Sequence, residues 1–157
     1  MSTMTFNNFI NLEYPDGFKV LTDEENSYFF TGNQLRLSFH NKEKHILISL
    51  SKSNDSFMNR ILSLKAVSNG AINNLKSSLQ DFKLIKEDNS TICNEPSLTS
   101  CFSYRVSDSD IMQYGELSIF KYKKSFYSVY SISRLEDKEE SIKIFTSFRD
   151  SLLIKNN

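Results

Sequence analysis

From Leu35 onward the chain alternates. Leu35, Leu37 and Phe39 are separated by Arg36, Ser38 and His40, the period-two pattern of a half-buried strand. Asn41-Lys42-Glu43-Lys44 is a polar loop, and Ile46, Ile48 and Leu50 then alternate with Leu47, Ser49 and Ser51, which predicts a hairpin. The period returns over Thr99–Val106, Tyr114–Tyr122 and Phe126–Ser133. In the first of these, Phe102, Tyr104 and Val106 share one face and Ser103 and Arg105 the other. In the second, Leu117 and Ile119 oppose Phe120 and Tyr122, and a strand apolar on both faces is central and covered twice. Lys123-Lys124-Ser125 turns it into the third. After that the spacing becomes helical. Ile142, Phe145, Phe148 and Leu152 form a stripe within Lys138–Leu153, and Glu136, Asp137, Glu139 and Glu140 suit the positive end of that helix's dipole.

The remaining segments are less regular. Phe6, Phe9, Ile10 and Leu12 open the chain, and Tyr14-Pro15-Asp16-Gly17 is a turn leading into the short extended Phe18-Lys19-Val20. Ser27–Thr31 reads as a brief strand ended by Gly32-Asn33. Ser53-Asn54-Asp55-Ser56 offers several helix N-caps. Phe57, Ile61, Leu64 and Val67 follow at helical spacing, then Ile72, Leu75 and Leu79, with Asn69-Gly70 as the expected break or kink in a helical region over 56–80. Phe82, Leu84 and Ile85 begin a strand that Asp88-Asn89-Ser90 should turn, and Pro96 falls in a loop between Thr91–Cys93 and Thr99–Val106. The sum is six or seven strands in sequence-adjacent hairpins with two or three helices. That order predicts an α+β class, one antiparallel sheet flanked by helices in a single domain over 1–157.

Composition narrows the function classes. Nineteen basic and nineteen acidic side chains cancel, so the balance supplies no footprint for nucleic acid. Lys121, Lys123 and Lys124 are read as solvated charge at a hairpin tip. No stretch approaches the roughly 20 apolar residues that span a bilayer, and Met1–Leu12 carries no basic, continuously apolar leader, so the expected compartment is the cytoplasm. Four Gly and two Pro leave no room for a flexible linker.

Candidate chemistry is sparse. His40 and His45 flank the four-residue loop of the first hairpin and are expected to face each other across it, where they could hold a metal with Glu43 imagined as a third ligand; the alternative is two solvated rim histidines. Cys93 and Cys101 are spaced for a cross-loop disulfide in an oxidising compartment but not for a CxxC motif, and reduced, partly buried thiols are the other reading. Asp108, Asp110 and Glu116 cluster loosely in sequence without the glycine and distal Glu of a calcium loop. No GxSxG elbow, phosphate-cradling glycine loop or HExxH occurs, so no catalytic residue and no cofactor are expected. The tyrosines concentrate on the last three strands. Tyr122, Phe126, Tyr127 and Tyr130 are the candidates for a recognition surface, against the alternative that they pack beneath the helices.

Three stretches carry a family likeness: Leu12-Glu13-Tyr14-Pro15-Asp16-Gly17-Phe18; Leu75–Ile85, where a helix runs directly into a strand; and Phe126–Ser133 followed by Glu136–Leu152, with its closing Ser147-Phe148-Arg149-Asp150-Ser151-Leu152. Together they resemble the PsbP-like superfamily, which includes DcrB-type bacterial proteins and a eukaryotic Ran-binding relative. The resemblance implies a sheet sandwiched by helices and, usually, no catalysis. Its members act as lipoproteins, photosystem accessory subunits, binders of a small GTPase, or chaperones that shield apolar helices of secreted toxins. This sequence departs in lacking a lipobox cysteine and in having Phe18 where many members have Trp. The expectation is therefore a non-enzymatic module binding another protein or an apolar peptide, with a small-ligand or metal site on the 35–50 hairpin as the alternative.

Overall fold

The structure, a computed structural model, describes residues 1–54 and 57–155. In chain order the elements are β1 (Ser2–Phe6), β2 (Ile10–Tyr14), β3 (Lys19–Val20), α1 (Asp23–Phe29), β4 (Leu35–Asn41), β5 (Ile46–Lys52), α2 (Phe57–Ile61), α3 (Leu64–Ser78), β6 (Gln80–Ile92), β7 (Glu95–Arg105), β8 (Met112–Tyr122), β9 (Ser125–Arg134), a single 3-10 turn (Leu135–Asp137), α4 (Lys138–Ser151) and β10 (Leu153–Ile154). Seven strands form one antiparallel sheet in the order β3-β4-β5-β9-β8-β7-β6. The class and the sheet are those expected from the alternation.

Each face of this sheet has its own core. On one, Phe145, Phe148 and Leu152 of the α4 side pack with Phe39, Ile48, Leu50, Tyr127 and Val129. On the other, α3 lays Val67, Ile72 and Leu75 over Phe102, Leu117, Ile119 and Phe126. β8 and β9 face both cores, which is why their residues are apolar on both sides. The chain ends add a second, three-stranded sheet, β1-β2-β10, to the α4 layer. No period in the first twelve residues announced it. Its hairpin reverses through Asn7 and Asn8, both at positive φ, and Lys155 N donates to Phe9 O at 2.6 Å.

Several local expectations are corrected. Ser27–Thr31 is not a strand, because Thr22 starts α1 with a reciprocal cap. Glu25 N donates to Thr22 Oγ1 (3.2 Å) and Thr22 N to the Glu25 carboxylate (3.1 Å). The helical region breaks at Leu62-Ser63, where Ser63 Oγ caps Ala66 N at 3.1 Å, and Gly70 lies inside α3. Of the expected caps before α2, Asp55 and Ser56 lie outside the described residues. Asp88-Asn89-Ser90 does not turn the chain. β6 runs on to Ile92 and reverses at Cys93-Asn94, both at positive φ, so Pro96 sits on β7 opposite Thr91. An edge strand wet on both faces has no alternation to read, and that is why its polar residues resembled a turn.

Candidate functional site

The aromatic candidates do not share a surface. Phe126 and Tyr127 are each 2 % exposed and lie in opposite cores, since neighbouring residues of a strand point to opposite faces. Tyr127 stacks on Phe120 and meets Phe6 edge-on, and its hydroxyl accepts from Asn7 Nδ2 at 3.2 Å. Tyr122 is half-buried against Phe9 with the Lys123 ammonium over its ring. Tyr130 is half-buried between Phe30 and Phe102, and burial raises its phenol well above the ordinary range. These side chains close the cores. Among the described residues the exposed aromatic pair is instead Tyr28 and Phe29 on α1, a segment whose pattern reads as a strand.

The histidines are not partners in the hairpin register: His40 lies opposite Leu47, while His45 sits in the reversal itself at positive φ. His40 is half-buried beside Phe29, and burial, then Lys42, holds its imidazole below the usual 6.5. Among the described residues no three His, Cys, Asp or Glu side chains come together as a metal-ligand group. Asp108 and Asp110 stay exposed in the loop before β8, whereas Glu116 is carried into the sheet.

Cys93 and Cys101 are buried free thiols. Cys93 is in the turn and Cys101 is six residues beyond Glu95 along β7, a span of about 20 Å that no disulfide crosses. Burial pushes the Cys93 thiol up to about 11 and raises Cys101 as well, so both are protonated, weak nucleophiles at neutral pH.

What the fold does assemble is a polar cleft. α4 and the β1-β2-β10 sheet cover the part of this face that holds β4, β5 and β9, and beyond α4 the face of β8, β7 and β6 is left as a floor. Successive rows cross that floor: Lys86, Cys101 and Glu116; Asp88, Thr99 and Ser118; Ser90, Ser97 and Phe120. Ile142, Thr146, Arg149 and Asp150 form the wall, and the enclosed volume is about 320 Å³. Glu116, 2 % exposed, is held from two sides, by the Arg149 guanidinium and by the Tyr114 hydroxyl at 2.6 Å. Arg149 also donates to Thr146 Oγ1 (3.3 Å), Lys86 pairs with Asp88 (3.3 Å), and the Thr99 and Ser118 hydroxyls share a bond of 2.6 Å. The Ser97 hydroxyl, on the same floor, has no partner. Sequence spacing could not find this site, because its charged members come from β6, β8 and α4.

Beside the cleft lies the sheet edge. Among the described residues no strand pairs with the outer side of β6. Leu84 (40 %) and Ile85 (41 %) are exposed on it, and Lys86 through Thr91 are exposed without interruption. Register shifts interrupt its pairing between Gln80 and Lys86, but from Lys86 to Ile92 it is regular.

No protein-family model matches the sequence, and no curated protein matches it. Solved structures do. Cyanobacterial PsbP from Synechocystis sp. PCC 6803 aligns over 92% of this chain and 86% of its own, with a TM-score of 0.67 at 10% identity. LpqN of Mycobacterium tuberculosis, described as involved in cell envelope biogenesis, aligns over 94% and 83%, with 0.61 at 13% identity. The Ran-binding protein Mog1p of Saccharomyces cerevisiae aligns over 98% and 96%, with 0.63 at 8% identity. At such identities the likeness is one of architecture: this chain has the PsbP-like fold that the Mog1 protein also carries.

Proposed function

We propose that the protein is a non-enzymatic module that binds another protein or an extended apolar peptide, and that β6 is its docking edge. The observation that carries this is the open outer side of β6, with Leu84 and Ile85 exposed beside a regular run from Lys86 to Ile92. An unpaired edge presents free backbone amides and carbonyls at alternate positions, and an incoming strand satisfies them while its side chains take up the exposed apolar residues. That a structural neighbour of similar extent is described as a Ran-binding protein supports a protein-binding use of this architecture.

The non-enzymatic part of the reading is supported by distance. Cys101 on β7 and His40 on β4 lie four strand spacings apart, about 19 Å, so that thiol and that imidazole do not meet at the cleft. A chaperone or accessory role for a secreted partner is the sharper form of the proposal.

The test is affinity capture from the native cells with the full chain and with a Leu84→Lys/Ile85→Lys variant. The expected outcome is one dominant partner, lost with the variant, whose melting temperature falls only slightly because both side chains are already partly exposed. A partner retained by the variant would move the interface elsewhere, and an empty capture would count against protein binding.

A further inference from the structure

We propose that the cleft between α4 and the β6–β7–β8 floor is a binding site for a small uncharged polyhydroxylated molecule, a sugar or polyol. Its volume, about 320 Å³, lies at the small end of the range for small-molecule sites, roughly 300–1,000 Å³. It is built on strands and a helix, so its groups are held in place before anything arrives.

Ser97 gives the first pointer. Its side chain is 1 % exposed and lines the cleft, yet its hydroxyl has no hydrogen-bond partner. A buried hydroxyl left unpaired lowers stability, and one that lines a cleft can regain its bond from a molecule bound there. The second pointer is the state of the charges. Arg149 is already paired with Glu116, and Lys86 with Asp88, so an entering ion would compete with an existing pair. Exposed Asp150 is the fifth charged residue of the lining.

Yet these groups are not saturated. A guanidinium has five donors, and Arg149 directs two bonds, one to Glu116 and one to Thr146. A carboxylate has about four acceptor positions, and Glu116 receives Arg149 and Tyr114. Spare donors therefore stand next to spare acceptors, above a floor of serine and threonine hydroxyls. Adjacent hydroxyls that each donate and accept match that alternation, and Ile92 and Ile142 supply apolar wall for the C–H face of a ring or chain. Burial raises the Cys101 thiol on the floor, so it stays protonated and adds no charge to the site.

Saturation-transfer NMR on the full chain tests this with glucose, mannitol, inorganic phosphate and putrescine as separate probes. The expected result is contact with glucose or mannitol, displaced by the other, and no contact with phosphate or putrescine. Affinity should fall about tenfold in Ser97→Ala, the equivalent of one hydrogen bond. That variant should melt at or above the parent temperature, because the hydroxyl it removes bonds to nothing in the protein. Asp88→Asn, at the exposed side of the floor, is a second variant that leaves the core intact and should also weaken binding. No contact with either neutral probe, preference for phosphate or putrescine, or binding unchanged in both variants would overturn the proposal. The run Lys86–Ile92 borders both the cleft and the docking edge, so the edge reading is tested separately through Leu84 and Ile85, which line no part of the cleft.

Discussion

Gly115 on β8 lies opposite Phe102 on β7, and the phenyl ring occupies the space a side chain there would need. A Cβ at this position would press into a fully buried ring stacked between Phe82, Tyr104 and Tyr130. Gly115→Ala is therefore expected to lower unfolding free energy by about 1–3 kcal/mol, measured by urea titration. One position on, Glu116 faces the other core with Arg149 upon it. Glu116→Gln leaves that guanidinium without its anion and should cost about 3 kcal/mol, the low end for a buried pair because Arg149 keeps some exposure. Glu116→Leu with Arg149→Met should recover part of the loss, since both charges then disappear together while the Tyr114 hydroxyl loses its acceptor. At the opposite side of the sheet, His40 has an imidazole held below 6.5 by burial and Lys42. The unfolded chain then binds the proton more readily than the folded one. Stability is thus full above pH 6.5 and falls as pH drops through the depressed folded value. Comparing pH-dependent urea midpoints of the parent and His40→Gln should show that increment vanish in the variant.

Gly70 tests the reading of α3 as one helix. It sits exposed in the helix interior, and a Cβ there meets nothing within 4 Å. Gly70→Ala is expected to raise stability by about 0.5–1 kcal/mol, read from the thermal midpoint, because it restricts the unfolded chain without any clash. A break at Gly70 would have made the same change neutral or harmful. α1 depends in the same local way on its reciprocal cap. Thr22→Ala removes an acceptor from the first turn and should cost about 1 kcal/mol, with amide exchange over Asp23–Phe29 accelerating most. Both helices illustrate how short signals were read. The alternating strands and the α4 stripe were legible because each buries one continuous face. Thr22 and Glu25 stand outside any apolar period, so the segment reads as a strand although a capped helix forms.

The layers of the molecule follow from how much apolar surface each strand offers. β9, β8 and β5 are buried on both sides; α4 with the β1-β2-β10 sheet covers one face, and α3 covers β8 and β7 on the other. β6 and β7 turn serines, a lysine and an aspartate toward the α4 side, and α4 has no apolar stripe wide enough to cover them. The cleft is the space that results. The cleft thus follows from the sheet being wider than the helix layer on this side, and the edge from β6 being its last strand. The class, the hairpins of β4–β5 and β8–β9 and the burial of Phe145 and Phe148 could be read from periodicity, since local hydrophobic spacing records which face meets the core. The pairing of the two chain ends in β1-β2-β10, the separation of Cys93 from Cys101, and the meeting of Lys86, Glu116 and Arg149 depend on strand order and on where α4 crosses. Those are contacts between residues far apart along the chain, and no local pattern of side chains encodes them.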